Sequence, residues 1–373
     1  MKTSSDSNRV VRVSKLGAAD VLRIAPEPVR EPAAGEVRLR VHAIGLNRAE
    51  IMFRTGMYTE TPQFPARIGS EAAGVIEAVG AGVSHFKPGD RVSTFPGFSM
   101  NRYGVAGDTA VVPASHVVKI PAALSFEEGA AIWTQFLTAY GCLVLFGGLR
   151  KGDAVAITAA SSSVGVAAIQ TVNDAGGVSI AITRKEDKRA ALLAAGAHHV
   201  IVSETEDLDE RVAELTGARG ARIVFDPVAG PFLEKLAGIV AAEGIIIEYG
   251  WLQPGLPVFP LVPALVKGFS VRGFHLSYQI TPHPDRLAAA LQYILPRLES
   301  GAFRPLLAER KFTLSQIADA YSYMESNEHL GKIVVTNPPT CGARLLNRGD
   351  FPESIGHNPD ETLDNLVCPG TTL

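Results

Sequence analysis

The chain is poor in the residues that build several common classes of protein. Its 373 residues include only three cysteines, Cys142, Cys341 and Cys368. None forms a C-x-x-C pair, so neither a disulfide framework nor a cysteine-rich zinc site is expected. A reducing, cytoplasmic setting follows, with Cys142 a small buried hydrophobe beside the apolar run Leu143–Phe146. Neither sign of charge dominates: 35 Lys and Arg stand against 38 Asp and Glu. The net charge of −3 lacks the basic excess of a nucleic-acid binder or a polybasic membrane anchor. Long apolar runs are missing too. The most apolar stretch, residues 154–172, is broken by Thr158, Ser161, Ser162, Ser163, Gln170 and Thr171. It falls short of the ~20 apolar residues a spanning helix needs. The opening MKTSSDSNRV has no hydrophobic segment, so no secretory leader is expected.

What remains is a globular composition, 46% hydrophobic and 20% charged, long enough for two domains. The first ~125 residues carry short alternating runs such as Arg9–Val13, Val37–Ala43 and Ala73–Val79, punctuated by Pro26, Pro28, Gly35, Pro88 and Gly89. They predict a compact barrel or sandwich. From Lys151 the rhythm changes to buried-type strands alternating with helical patterns. Examples are Val155–Thr158 before Val164–Ala175, Val178–Thr183 before Asp187–Ala195, and Ile223–Asp226 before Phe232–Val240. Continuous apolar strands joined by helices predict an α/β domain with a doubly wound parallel sheet. Residues 339–373 mix Pro, Gly, Asn and acidic residues and predict a loosely ordered acidic tail or a surface strap.

The most informative segment runs from Val155 to Gln170, where a strand passes through Ser161, Ser162, Ser163, Val164 and Gly165 into a helix. A dinucleotide's pyrophosphate needs small residues and free N–H groups at a helix N-terminus. Serines replace two fingerprint glycines and only Gly165 remains, so the same residues also read as a serine-capped helix holding no ligand. Some 20 residues on, an NAD site places an acidic residue on the ribose. Here Thr183 is followed by Arg184, Lys185 and Lys188. Cations there attract a 2′-phosphate and favour NADPH, or else open a solvated surface helix beside Glu186 and Asp187.

Several motifs in order extend across residues 9–336: Gly45-Leu-Asn-Arg-Ala-Glu50, Arg54-Thr-Gly-Met-Tyr58, Gly69-Ser-Glu-Ala-Ala-Gly74, Val79-Gly-Ala-Gly82, Pro88-Gly-Asp-Arg-Val92, Ala139-Tyr140 and His329-Leu-Gly-Lys-Ile-Val334. With the serine-rich turn, they make the chain resemble the medium-chain dehydrogenase/reductase superfamily, in its zinc-free quinone oxidoreductase and enoyl reductase branch. The resemblance implies a GroES-like catalytic domain over 1–130 and a Rossmann NADPH-binding domain over 131–275. Residues 276–336 are expected to return and complete the first domain, leaving 337–373 as the tail. Alcohol dehydrogenases of this superfamily hold zinc with a Cys near Asn47 and a His where Ser70 stands. Arg91–Ser115 has no cysteine, and the histidines form no H-x-x-x-H pair, so no metal is expected.

By the same resemblance Asn47 and Tyr58 face nicotinamide and substrate as catalytic residues, with Glu50 orienting Asn47 or Arg54. Thr138, Gly250, Phe274 and Lys332 join the serine turn and the Thr183–Lys188 cations around the coenzyme. Trp133, Phe136, Trp251, Leu252, Leu256, Phe259, Leu261 and Phe274 are candidates for an apolar cleft suited to a small hydrophobic substrate, or for core and dimer interface. The expected activity is NADPH-dependent hydride transfer to a quinone or α,β-unsaturated carbonyl by a homodimer, with no nucleic-acid or membrane partner. Two alternatives stay open: a catalytically weak nucleotide-binding relative, crystallin-like or RNA-binding, and a zinc-free alcohol dehydrogenase.

Overall fold

The computed structural model describes residues 8–253 and 255–337. The N-terminal part contributes eight strands: β1 (Asn8–Val13), β2 (Leu22–Glu27), β3 (Glu36–Gly45), β4 (Ala66–Arg67), β5 (Ala72–Val79), β6 (Arg91–Thr94), β7 (Thr109–Pro113) and β8 (Val117–Lys119). The next six are β9 (Ala154–Ile157), β10 (Val178–Thr183), β11 (His199–Val202), β12 (Ala221–Asp226), β13 (Val240–Glu248) and β14 (Ser270–Gly273). Two short strands, β15 (Phe312–Thr313) and β16 (Val334–Thr336), come last.

Strands β9–β14 form a six-stranded sheet in the order β11-β10-β9-β12-β13-β14, parallel throughout. Both faces are covered, which is why these strands read as continuous apolar runs. Val155, Ile157, Phe225 and Ile247 pack on one face with Ala168, Ile169 and Val172; Ala156, Ile180, Val224 and Ile246 pack on the other with Val212, Leu233 and Leu236. The chain leaves β9 for β10 on one side and returns to β12 on the other. That reversal opens a crevice beyond the carboxyl end of β9, the place where such sheets bind ligands.

The N-terminal strands build a three-stranded sheet, β2-β1-β4, and a seven-stranded one, β15-β16-β3-β5-β6-β8, with β7 also paired to β3. β16 runs antiparallel to β3, pairing Val334 with Gly45. The last part of the chain is thereby built into the first sheet. Asn337 was assigned to the tail, yet it is buried and donates Nδ2 to Val41 O and Gly107 O, each at 3.2 Å. The rest of that tail, with the Cys341 and Cys368 positions, lies outside the described residues.

Two further segments bear on the site. The proline-rich excursion after Gly250 ends in a helix, Leu261–Lys267, because Pro263 falls in its first turn, where no helical N–H is needed. Trp133–Ala139 is helical and continues as a π-helix over Tyr140–Phe146, burying Cys142 as expected. Trp133 and Phe136 belong to the core rather than to a cleft: Trp133 Nε1 donates to Ser93 Oγ, and Phe136 stacks on Phe303 at 4.8 Å. Among the described residues no helix is long and apolar enough to cross a membrane.

Candidate active site

The serine turn sits at the carboxyl end of β9. Ser162 caps the helix Ser163–Asp174, its Oγ accepting from Gly165 N at 3.0 Å. The cap leaves the N–H groups of Ser163 and Val164 without a helical partner, and they share the positive end of the helix dipole. A Cβ on Gly165 would lie 2.5 Å from Ala160 O and 2.6 Å from Ala160 Cα. Only glycine lets the helix start so close under the turn.

Thr183 ends β10 and is buried, whereas Arg184 and Lys185 are exposed and make no ion pair among the described residues. They remain available to an incoming anion. Lys188 is already committed. Its Nζ donates to Ser161 Oγ at 3.3 Å and to the carbonyls of Asn327 and His329, each at 2.9 Å, fastening the return segment to the turn. Burial pushes His329 down to about 4, helped by the positive charges of Lys188 and Arg48, and leaves its Nδ1 without a partner. A histidine held neutral in the fold binds fewer protons than in the unfolded chain, where it titrates near 6.5. Its contribution to stability is therefore complete above about pH 6.5 and lost as pH falls toward about 4. His329→Gln is expected to lose less Tm than the parent between about pH 7 and pH 5; equal losses in the two thermal melts would count against this source.

Asn47 N-caps the first helix, Arg48–Thr55, inside a capping box with Glu50. Gly45 makes the placement possible: a Cβ there would lie 1.8 Å from Ala130 O, so β3 ends directly against the segment leading to the helix at Trp133. Around Asn47 the chain buries a polar network. Lys332 Nζ is 2.7 Å from Asn47 Oδ1 and 2.7 Å from Glu71 Oε2, with Lys332 only 1% exposed and Glu71 fully buried. Glu71 Oε1 accepts from Trp133 N at 2.6 Å and Thr134 N at 3.3 Å, placing negative charge at that helix's N-terminus. Glu50 accepts from Asn47 N and Tyr321 OH at 2.8 Å and from Ser70 N and Oγ at 3.0 Å. Burial pushes its pKa up, against these donors. Glu50 thus orients Asn47. Arg54 instead pairs with Glu325 at 2.6 Å.

Tyr58 follows the first helix and meets residues just beyond β14. Its ring centroid lies 5.6 Å from that of His275, and burial raises its pKa, opposed by the neighbouring Ser277. His275 Nδ1 is buried and has no hydrogen-bond partner among the described residues. Thr138 and Phe274 are both buried, Phe274 lying over Gly141, and Gly250 follows β13 against Pro227. One feature went unforeseen. Asp226 and Glu248 end β12 and β13 as direct neighbours. Asp226 is held by Thr158 Oγ1 and Ala229 N, while both Glu248 carboxyl oxygens are buried without a partner. Burial and the Asp226 charge push Glu248 well above the carboxylate range. The only signal in the sequence was a lone acid closing the apolar run Ile245–Ile247.

Comparison with known proteins follows this geometry. A profile described as the alcohol dehydrogenase GroES-like domain matches residues 33–122, and one described as zinc-binding dehydrogenase matches residues 163–294. Human quinone oxidoreductase is 30% identical over 337 residues, 90% of this chain and 99% of that protein. The chain belongs to the medium-chain dehydrogenase/reductase superfamily. Another relative in this superfamily, the rat synaptic vesicle membrane protein VAT-1 homolog, is 30% identical over 352 residues, 89% of this chain and 84% of its own. Escherichia coli quinone oxidoreductase, solved in complex with NADPH, superposes with a TM-score of 0.81 at 28% identity, over 88% of this chain and 99% of that one. The CurK enoyl reductase superposes with 0.80 at 26% identity, over 89% and 100%. The GroES-like assignment of the N-terminal sheets and the Rossmann assignment of the six-stranded parallel sheet accordingly hold.

Proposed function

We propose that this chain is an NADPH-dependent reductase that delivers hydride to a quinone or an α,β-unsaturated carbonyl and works without a metal ion. One observation carries the reading: consecutive residues tie the phosphate-binding turn to Asn47. Gly331 N donates to Ser161 O at 2.9 Å, and Lys332 reaches Asn47. A dinucleotide lying over the turn is thereby directed at Asn47. The residues present fit such a group. Gly165 leaves the turn open to close approach, Ser163 and Val164 offer N–H groups, and Glu248 offers unpartnered oxygens at the carboxyl edge of the sheet.

When bound, the coenzyme supplies the hydride. The protein's part is to hold the acceptor and serve the negative charge that develops on its oxygen. Asn47 is the donor for that oxygen, and Tyr58, backed by Ser277 and His275, relays the proton that completes reduction. The residues do not fit a zinc ion. Beside Asn47, Ser70 and Glu71, where the resemblance puts the catalytic zinc of alcohol dehydrogenases, the Lys332 ammonium already sits. An amide, a hydroxyl and one carboxylate lack the thiolate and imidazole donors of a tetrahedral site. The human and Escherichia coli quinone oxidoreductases support a quinone acceptor, and CurK supports an enone. Leu256, Val258, Leu261, Leu265 and Val266 are exposed in the segment of chain that leads into the edge strand β14, which supports a homodimer paired along that edge.

NADPH titration followed by oxidation assays over small quinones and enones tests the activity; binding without oxidation would favour a nucleotide-binding protein without turnover. Arg184 and Lys185 supply a second test. Hydrogen bonds to charged groups contribute about 1.5–3 kcal/mol, so neutralising both is expected to raise the NADPH KM about 10- to 100-fold. The NADH KM is expected to stay within about twofold. Equal changes in both would overturn the 2′-phosphate assignment.

A further inference from the structure

The amide of Asn47 has two possible orientations, and its neighbours select one. The ammonium of Lys332 carries three donors and no acceptor. The Asn47 atom 2.7 Å from it is therefore the carbonyl oxygen; the opposite flip would set NH2 against NH3⁺. Asn47 Nδ2 then faces acceptors only, Gly45 O at 3.2 Å and Glu71 Oε2 at 3.4 Å. Both hydrogen bonds are long, so a stronger acceptor can recruit an N–H from either. Lys332 is itself over-determined: Glu71 holds its charge, and its backbone pairs with Leu306 O at 2.7 Å and Ala308 N at 2.8 Å.

We propose that Lys332 is a positioning residue that locks the Asn47 amide with its oxygen turned inward, so that this side chain serves the reaction as a hydrogen-bond donor and never as an acceptor. The inference rests on the reductase reading above, because a quinone or enone oxygen gains negative charge as hydride arrives and needs a donor. With a neutral apolar residue at 332 only the two long contacts to Gly45 O and Glu71 Oε2 still orient the amide, so the flipped form becomes populated, and its oxygen then opposes that charge. The bound ammonium thus acts through Asn47, without touching the acceptor.

Asn47→Asp tests the donor directly. The carboxylate keeps the N-cap and a partner for Lys332 and, when ionised, can only accept; because it also faces Gly45 O and Glu71 Oε2, the variant's melting temperature and the pH dependence of its kcat are measured together. Its kcat is expected to fall about 100-fold, the loss typical of removing one such donor, with the NADPH KM within about twofold. Lys332→Met is expected to lower kcat by a similar factor in the parent and by less than about threefold in an Asn47→Ala background. Lys332→Arg, also a donor-only cation, is expected to restore most of the rate. A Lys332→Met effect of equal size in both backgrounds, or an Asn47→Asp enzyme within about threefold of the parent, would overturn the proposal. If the parent reduces no acceptor, the reductase reading fails by itself. The orientation is then decided by neutron diffraction of the perdeuterated protein: deuterium on the Asn47 atom facing Lys332 Nζ overturns it, and deuterium only on the far atom sustains it.

Discussion

Gly165→Val is expected to raise the NADPH dissociation constant at least about 100-fold. The new side chain meets Ala160 backbone atoms at 2.5–2.7 Å, and backbone cannot swing aside as a flexible side-chain end can. Either the helix Ser163–Asp174 withdraws from the turn or the turn opens. Both move the Ser163 and Val164 N–H groups away from the place an anion would occupy. Overpacking of this kind also costs about 1–3 kcal/mol in stability, so a modest fall in Tm accompanies the loss. Gly165→Ala carries the same Cβ with less bulk and should fall between. Fluorescence titration of NADPH checks both variants; a dissociation constant within about threefold of the parent for the valine form would refute the cradle.

The largest stability effect is expected at Glu71. Glu71→Ala strips Lys332 of its only carboxylate partner among the described residues, uncaps the helix that begins at Trp133, and opens a cavity, all in a fully buried place. Breaking a buried pair by removing one partner costs about 3–5 kcal/mol, since the surviving charge stays out of water uncompensated. For a chain of this length that lowers Tm by about 5 °C. Adding Lys332→Met to Glu71→Ala should recover part of the loss, because the orphaned charge goes with it. Calorimetry decides the matter. A single variant melting within about 2 °C of the parent would show that water reaches the network and that the pair is not sealed.

Much of the architecture was legible because each strand of the parallel sheet is buried on both faces and so reads as an unbroken apolar run. Val155–Ile157 and Ile223–Phe225 are examples. The serine turn and the cations at Arg184 and Lys185 were legible for a similar reason: a strand, a turn and a helix start are local, and their chemistry is written in adjacent residues. The polar network was not. Lys332 and Asn47 are 285 residues apart, and nothing in the spacing of either says that an ammonium will be sealed against that amide. Trp133 and Phe136 were candidates for an apolar cleft or for the core, and only the structure chose the core, because apolar periodicity reports burial without naming the neighbour. Lys188 was grouped with the exposed cations because its neighbours in sequence are exposed; its fastening to Asn327 and His329 depends on a segment more than a hundred residues downstream.

The sequence by itself determined the class of fold, the serine-capped turn between strand and helix, and the family, since propensity, hydrophobic period and motif order act over short spans of chain. Only the tertiary structure decided what surrounds Asn47, which cations are spent on fastening the fold, and that Asp226 and Glu248 end neighbouring strands. Those facts depend on long-range register between β16 and β3 and between β12 and β13. Register is set by the packing of whole sheets, which no stretch of adjacent residues encodes.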